Sequence, residues 1–376
     1  MEVPSPARAP LRRAAGLAAL LALAAIAAAW APLPNRLDLL VRHFDAPDYL
    51  VVAKTLYVPT AENPLPGYVL GPKYFTAHTP LFPLVIRACA LGLGYPRGLA
   101  LATLLLAAAS AAVFVAWARE AAPEVPPAIA VLVFLLLPAR MFLYRALGGS
   151  EALMSLCVLA AAWAWRKGRV EWAFAAAAAA TVTRTNGVLV VVVLCLFLLA
   201  RRRFGAAALG GALAALPLLA LFSWYAFLYG DFLSLLHVHA DSAQGPGRLA
   251  FPFAFVGEMA ARNDWETAEM LLGLHLLYVL AAAWLWNRGA RFEASLVAAH
   301  VVLLSLLRER DLARYYLTVA PFAIVLVFRE VWARPRLAAL VLAVLGPLSV
   351  FYAWKTIPMN LASPEATAAL LKLLGS

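Results

Sequence analysis

The sequence predicts an all-α, polytopic integral membrane protein with about eleven transmembrane helices. Three observations carry that expectation. The 376 residues are 64% hydrophobic and only 14% charged, with a mean hydropathy of +0.83, whereas soluble domains carry about 25% charged residues. Apolar stretches of helix-spanning length recur along the whole chain, and in lipid such stretches must satisfy their own backbone hydrogen bonds. Their unbroken apolar character selects helices over barrel strands, which alternate in polarity. Finally, Lys and Arg gather in small clusters between the apolar runs. The formal charge of +11 therefore reads as topology and headgroup contact, and no nucleic-acid partner is expected.

The clusters Arg12-Arg13, Arg166 to Arg169, Arg201 to Arg203, Arg288 to Arg291, and Arg329 with Arg334 and Arg336 mark the cytoplasmic side. Helix 14–33 then runs outward from a cytoplasmic N-terminus into a first extracytoplasmic loop, 34–94. Within that loop, Pro80 to Gly94 holds only fifteen residues, with Pro80, Pro83 and Arg87, so it reads as re-entrant or interfacial. Crossings follow at 97–118, 125–144 and 149–165, and two short arms at 170–183 and 187–200 meet at Thr183-Arg184-Thr185-Asn186-Gly187. Helix 205–228 leads to a second outer loop, 231–264, and helices at 266–286, 292–307, 316–328 and 337–354 complete one transmembrane domain over 1–376. Cys89, Cys157 and Cys195 lie in apolar stretches without ligand spacing and act as small hydrophobes.

In this topology Asp45, Asp48, His78, Arg145, Glu151, Arg184, Arg310 and Arg314 all fall on the outer side. Intramembrane charge costs ~2.5–3.5 kcal/mol on insertion scales, so convergence on one face points to a shared polar chamber. Asp45 and Asp48 are three apart and share a face if helical, as a general base, a metal-binding pair, or a helix cap with Pro47. Glu151 opens a span and either caps it or holds a substrate hydroxyl. Arg184 sits in the middle of a long apolar segment and suits an anionic phosphate. Arg310 and Arg314 with Tyr315 and Tyr316 form a cationic, aromatic cluster apt for phosphate or for interfacial anchoring. His78 precedes the aromatic and proline-rich Thr79 to Pro83. His237, His239 and Asp241 have a spacing that a metal tolerates, but a solvated outer loop explains such a set more often. No metal ligand is assigned and no cofactor is evident; a divalent metal would be compatible with the carboxylates, yet nothing in the spacing calls for one.

Several motifs, taken in order, carry a resemblance. Phe44-Asp45 with Tyr49, Thr79-Pro80-Leu81-Phe82-Pro83-Leu84, Pro138-Ala139-Arg140-Met141-Phe142 with Ser150-Glu151, Thr183 to Gly187, and Arg314-Tyr315 with Pro321-Phe322 follow one another along most of the chain. This series resembles the GT-C superfamily of glycosyltransferases that use polyprenyl-phosphate sugars, and within it the PIG-V-like mannosyltransferases (GPI mannosyltransferase II-like). Departures include Phe44 where the family has Trp, and Gly149-Ser150-Glu151 where it has Tyr-Ser-Glu.

The resemblance implies a GT-C-like fold and an inverting hexosyl transfer, with mannose as the sugar, from a polyprenyl-phosphate donor to a lipid or glycan acceptor. It makes Asp45 the leading catalytic carboxylate and Asp48 the second. His78, Glu151, Arg184, Arg310, Arg314 and Tyr315 are the substrate-binding candidates. The implied place is the cell (inner) membrane, with membrane lipids as further partners. Two other classes fit the composition: a transporter or flippase for an amphiphilic or lipid-linked substrate, and a membrane scaffold that docks through its outer loops. A transporter needs charge distributed through the bilayer depth, and a scaffold would tolerate loss of Asp45 and Arg184.

Overall fold

The computed structural model describes residues 11–59, 71–241, 248–308 and 311–375. Among these the chain is almost wholly helical; a two-residue antiparallel ladder pairs Arg248–Leu249 with Leu307–Arg308. Five helices are long and apolar enough to cross a membrane: α1 (Leu11–Trp30), α5 (Tyr95–Ala121), α11 (Phe204–Tyr229), α14 (Trp265–Asn287) and α19 (Pro335–Thr356). Their outward faces are apolar, with Leu209, Leu213, Leu216 and Phe227 of α11 all more than half exposed. A contiguous apolar exterior of this kind calls for lipid rather than water.

A further apolar segment is bent. Segment 125–144, expected as one crossing, is two helices, α6 (Pro127–Leu136) and α7 (Ala139–Ala146), at 80° to each other. Pro138 lacks the donor that would continue the ladder and forces Leu137 into extended backbone, so the helix stops there. The sequence arms 170–183 and 187–200 are α9 (Val170–Thr181, 12 residues) and α10 (Val188–Ala200, 13 residues). At 1.5 Å per residue each spans only about 18–20 Å, against about 30 Å of hydrocarbon. Helices α8 (Glu151–Arg166) and α15 (Arg291–Ser305) are also shorter than a full span. By length and composition, then, there are five crossing helices, or six with the bent pair, where the sequence led us to expect about eleven.

The first outer loop of the sequence is largely helical. It holds α2 (Arg36–Arg42), α3 (Ala46–Thr55), a 3-10 turn at Pro72–Ala77, and α4 (Leu81–Cys89), whose nine residues reach about 14 Å. The second contains α12 (Ser234–Asp241) and α13 (Ala254–Ala261). After α15 the chain breaks into short pieces, α16 (Leu312–Tyr315), α17 (Ala320–Phe322) and α18 (Arg329–Trp332), before α19 and the terminal α20 (Pro364–Leu374). The core runs between α1, α5, α6 and α8, and Phe114 stacks on Phe134 at 4.2 Å. Small residues line these contacts; Gly98 of α5 lies so close to Ala90 that an added Cβ would sit 2.7 Å from its Cα. Residues 42–44 are braced by the C-terminal segment: the Phe44 amide donates to the Asn360 carbonyl at 3.0 Å and the Ala362 amide to the Arg42 carbonyl at 2.8 Å.

Candidate functional site: a carboxylate–guanidinium cluster

Five segments far apart in sequence bring charge to one end of the bundle. Asp45 occupies the N-cap position of α3, yet its side chain makes no capping hydrogen bond. It turns instead to Arg314, whose Nη2 lies 2.7 Å from Asp45 Oδ2. Capping, the structural alternative for this carboxylate, is therefore not its role here. Glu151 likewise heads α8 but bonds side chains: Arg184 Nη1 donates to its Oε1 at 2.8 Å, and Arg314 Nε donates to the same oxygen. A single carboxylate oxygen thus joins two guanidiniums, and Arg314 bridges Glu151 to Asp45. Among the described residues the other oxygen of Glu151, Oε2, is buried without a hydrogen-bond partner.

Local backbone chemistry sets each of these side chains. Gly149 leaves room for Glu151 to fold back; a Cβ at 149 would meet Glu151 Oε2 at 2.3 Å. Gly187 permits the tight break between α9 and α10, where a Cβ would come within 2.1 Å of the Ala180 carbonyl oxygen. Arg184 stands in extended backbone at that break and points into the cluster, while Asn186 anchors the break by donating to Thr318 Oγ1 at 3.2 Å. Phe44 adopts a left-handed φ of 50°, a conformation that costs a bulky residue of order 1–3 kcal/mol. Its ring lies 4.7 Å from the Arg314 guanidinium, which Tyr144 also faces at 4.6 Å. Arg314 is thus enclosed by two aromatic faces and two carboxylates.

Asp48 and His78 form the second half of the cluster. His78 Nε2 lies 3.4 Å from Asp48 Oδ2, and both side chains are nearly buried. Tyr49 packs edge-on against His78 at 5.3 Å and shares a 2.8 Å hydrogen bond with Ser150, which also accepts from Arg184 at 3.3 Å. Tyr315 lies beneath the Arg184 guanidinium at 5.3 Å. Of these groups Asp45 is the accessible one: 24% of its side chain is exposed, against 4% for Glu151 and 5% for Asp48. Burial would raise the Asp45 carboxyl, but the Arg314 guanidinium, with His78 and Arg184 behind it, outweighs that effect and holds it below its ordinary value. His43, one turn away, is pushed down to about 4, chiefly by burial, and is neutral at pH 7.

One ligand atom each from Asp45, Asp48 and His78 lies within 4.8 Å of the others, close enough to hold a single ion. Two carboxylate oxygens and an imidazole nitrogen fit a divalent cation of the Mn²⁺ or Zn²⁺ type. The sequence spacing alone did not single out this trio, because His78 comes from a separate segment.

The remaining sequence candidates fare differently. Arg310 lies outside the described residues. Arg145 leaves the cluster: its guanidinium turns inward to the Phe134 carbonyl and stacks over the Phe134 ring at 3.6 Å. His237 pairs with Asp231 at 2.9 Å, and the side chains of His239 and Asp241 lie outside the described set. One pair was missed. Arg140 forms an ion pair with Asp311 beside Tyr144, whose ring it approaches at 5.8 Å, so Tyr144 lies between the Arg140 and Arg314 guanidiniums. The available signal was Arg140, a charge inside the largely apolar run around Pro138.

Arg140 also lines a groove of about 660 Å³ between α7, α14, α19 and the segment 313–328, otherwise walled by apolar and aromatic residues such as Met270, Tyr278, Trp284 and Phe328. Along α14 it runs from Met270 to Trp284, about 21 Å. No protein-family model matches this chain, and no curated protein matches it either.

Proposed function

We propose that the protein is a membrane glycosyltransferase that moves a hexose, mannose in the first instance, from a polyprenyl-phosphate donor to the hydroxyl of a lipid or glycan acceptor at the extracytoplasmic face. The observation that carries this reading is the accessible Asp45 carboxylate, fixed by Arg314 at 2.7 Å within a network that also holds Arg184. A base for a hydroxyl and cations for a phosphate are thereby within one small site.

The acceptor oxygen attacks the anomeric carbon, the bond from that carbon to the phosphate oxygen breaks, and the hydroxyl proton passes to Asp45. The electron pair leaves with the polyprenyl phosphate. Asp45 is ionised at neutral pH, so it can accept the proton as the hydroxyl becomes acidic during attack. Negative charge grows on the departing phosphate, and guanidiniums already oriented in a water-poor site stabilise it. Arg184 and Arg314 are those groups, and Glu151 keeps them aligned in the absence of substrate. His78, Asp48 and Tyr315 shape the walls of the site. The groove that begins at Arg140 suits a long isoprenoid chain, and its polar mouth lies one aromatic ring from Arg314. The GT-C-like arrangement, the larger number of crossings and the cytoplasmic N-terminus belong to this same proposal.

A test is transfer from a panel of radiolabelled polyprenyl-phosphate hexoses to membrane-extracted acceptors by the reconstituted protein. Label appearing in an acceptor from at least one donor is the expected result. Failure with every donor, alongside uptake or flipping of a labelled lipid into sealed vesicles, would replace the transferase reading with the transporter.

A further inference from the structure

At the other end of the bundle, three interhelical turns come together. Glu151 and Arg166 stand at opposite ends of α8, about 22 Å apart along its axis, so this region is remote from the Asp45 cluster. The turns that follow α8, α10 and α14 contribute Arg166, Arg201 and Arg291 to one cavity of about 780 Å³. Its floor is aromatic: Trp165 stacks on Phe292 at 5.4 Å and meets Phe197 edge-on at 5.7 Å.

The charges in this cavity do not balance. Its carboxylate, Glu293, is buried and already engaged by Arg166 Nε at 2.6 Å and Trp117 Nε1 at 3.2 Å. Arg201 and Arg291 have no carboxylate within ion-pair distance among the described residues. Each guanidinium instead lies over an indole, Arg201 over Trp165 at 4.8 Å and Arg291 over Trp286 at 5.8 Å. By contrast, neighbouring Lys167, Arg288 and Arg329 are each paired, with Glu120, Glu330 and Glu124. Two oriented cations on an aromatic floor therefore face the opening with their charge uncompensated. Leu196 and Trp286 at the rim are more than half exposed, which places the opening beside the lipid-facing surface.

We propose that this cavity binds a phosphate-bearing group, the headgroup of an anionic membrane lipid, between Arg201 and Arg291. Guanidiniums recognise phosphate through paired N–H donors, and basic pockets between helices at a membrane face are suited to anionic headgroups. The lipid rather than free phosphate is favoured by the exposed apolar rim, along which acyl chains can lie. The bound headgroup would link the turns that follow α8, α10 and α14. This proposal does not depend on the transferase reading.

The test uses the full chain, delipidated in detergent, with binding followed by native mass spectrometry and by the shift in melting temperature. The probes are phosphatidylglycerol, phosphatidylcholine and inorganic phosphate, and the proteins are wild type, Arg201→Gln, Arg291→Gln, the double variant, and Arg262→Gln as an exposed control. Phosphatidylglycerol should bind and raise the melting temperature, with about fivefold weaker binding in each single variant and multiplicative loss in the double. Phosphatidylcholine should bind weakly, and Arg262→Gln should behave as wild type. Should the double variant be poorly folded, Arg201→Lys tests the same point: it keeps the charge, loses the paired donors, and should bind between wild type and Arg201→Gln. Equal binding of phosphatidylglycerol to wild type and well-folded variants would overturn the site. Protection by inorganic phosphate that matches phosphatidylglycerol would overturn the lipid source.

Discussion

The two ends of the bundle use the same chemistry to different effect. Each has a buried glutamate held by arginine, Glu151 with Arg184 and Arg314 at one end and Glu293 with Arg166 at the other. At the Glu293 end the carboxylate has arginine and tryptophan donors and is sealed from solvent. At the Glu151 end the pairing continues outward to Asp45, whose carboxylate is partly exposed and stands beside Asp48 and His78. The difference is whether a buried pair stops or extends to a partly exposed carboxylate. Breaking a buried pair is costly in either place, so stability alone does not tell a structural pair from a catalytic one; accessibility and continuation do.

The sharpest way to break the comparison is Asp45→Asn, which keeps shape and removes the proposed base. Transfer should fall by about 10²–10⁴-fold with the folded yield retained, as read by initial rates and size-exclusion profiles. Next is Glu151→Gln, which leaves Arg184 and Arg314 sharing a neutral amide. A stability loss of about 3–5 kcal/mol is expected, measured by denaturant titration in lipid, together with a fall in transfer because the cations lose their alignment. At the opposite end, Trp117→Phe removes a donor from Glu293 and should cost about 1–3 kcal/mol while transfer per folded molecule stays at the wild-type level. A drop in specific activity there as large as for Glu151→Gln would erase the distinction between the two ends.

Acid sharpens it further. The fold depresses His43 to about 4 from 6.5, which means that it favours the neutral imidazole. That contribution is complete above 6.5 and is lost as pH falls toward 4. Asp45 is also depressed, so its contribution is complete above the ordinary carboxylate value and is lost as pH falls from there through the depressed folded value. Melting temperature should accordingly decline between pH 6.5 and 4, and His43→Asn should flatten that decline. The smallest effect is reserved for the exposed Lys167–Glu120 pair: Lys167→Ala should change stability by less than about 1 kcal/mol.

Much of the cluster was legible from residue type and position. Asp45, Asp48, His78, Glu151, Arg184 and Arg314 stood out because charge in an apolar chain is expensive, and Tyr315 as the aromatic neighbour of Arg314; the structure gathers all seven. The sequence could not say which cation meets which carboxylate, since that depends on how α3, α8 and the chain after α15 pack. It left Asp45 open as a cap, and only the side chain's turn toward Arg314 decides that point. Arg140 and Asp311 were not read as a pair for the same reason, as partners 171 residues apart. Helical character was plain from composition, but helix direction was not. Pro138 and Gly187 fall within predominantly apolar runs, and mean hydropathy does not register the 80° bend at one or the tight break at the other. The arms α9 and α10, expected among the crossings, are 12 and 13 residues long and shorter than a full span.

Whether Asp45 can be held by Asp48 and His78 around a divalent ion is open to direct test by chelation. Loss of activity on EDTA treatment, restored by Mn²⁺ or Mg²⁺, would assign the trio to a metal; unchanged activity would leave Asp45 acting as a base alone. The most direct measurement of the central claim is the initial rate of mannose transfer from polyprenyl-phosphate mannose, with wild type and Asp45→Asn reconstituted in the same lipid at matched folded concentration. Transfer by wild type with loss of at least about 10²-fold in the variant is the expected result. Equal rates in the two proteins would contradict it.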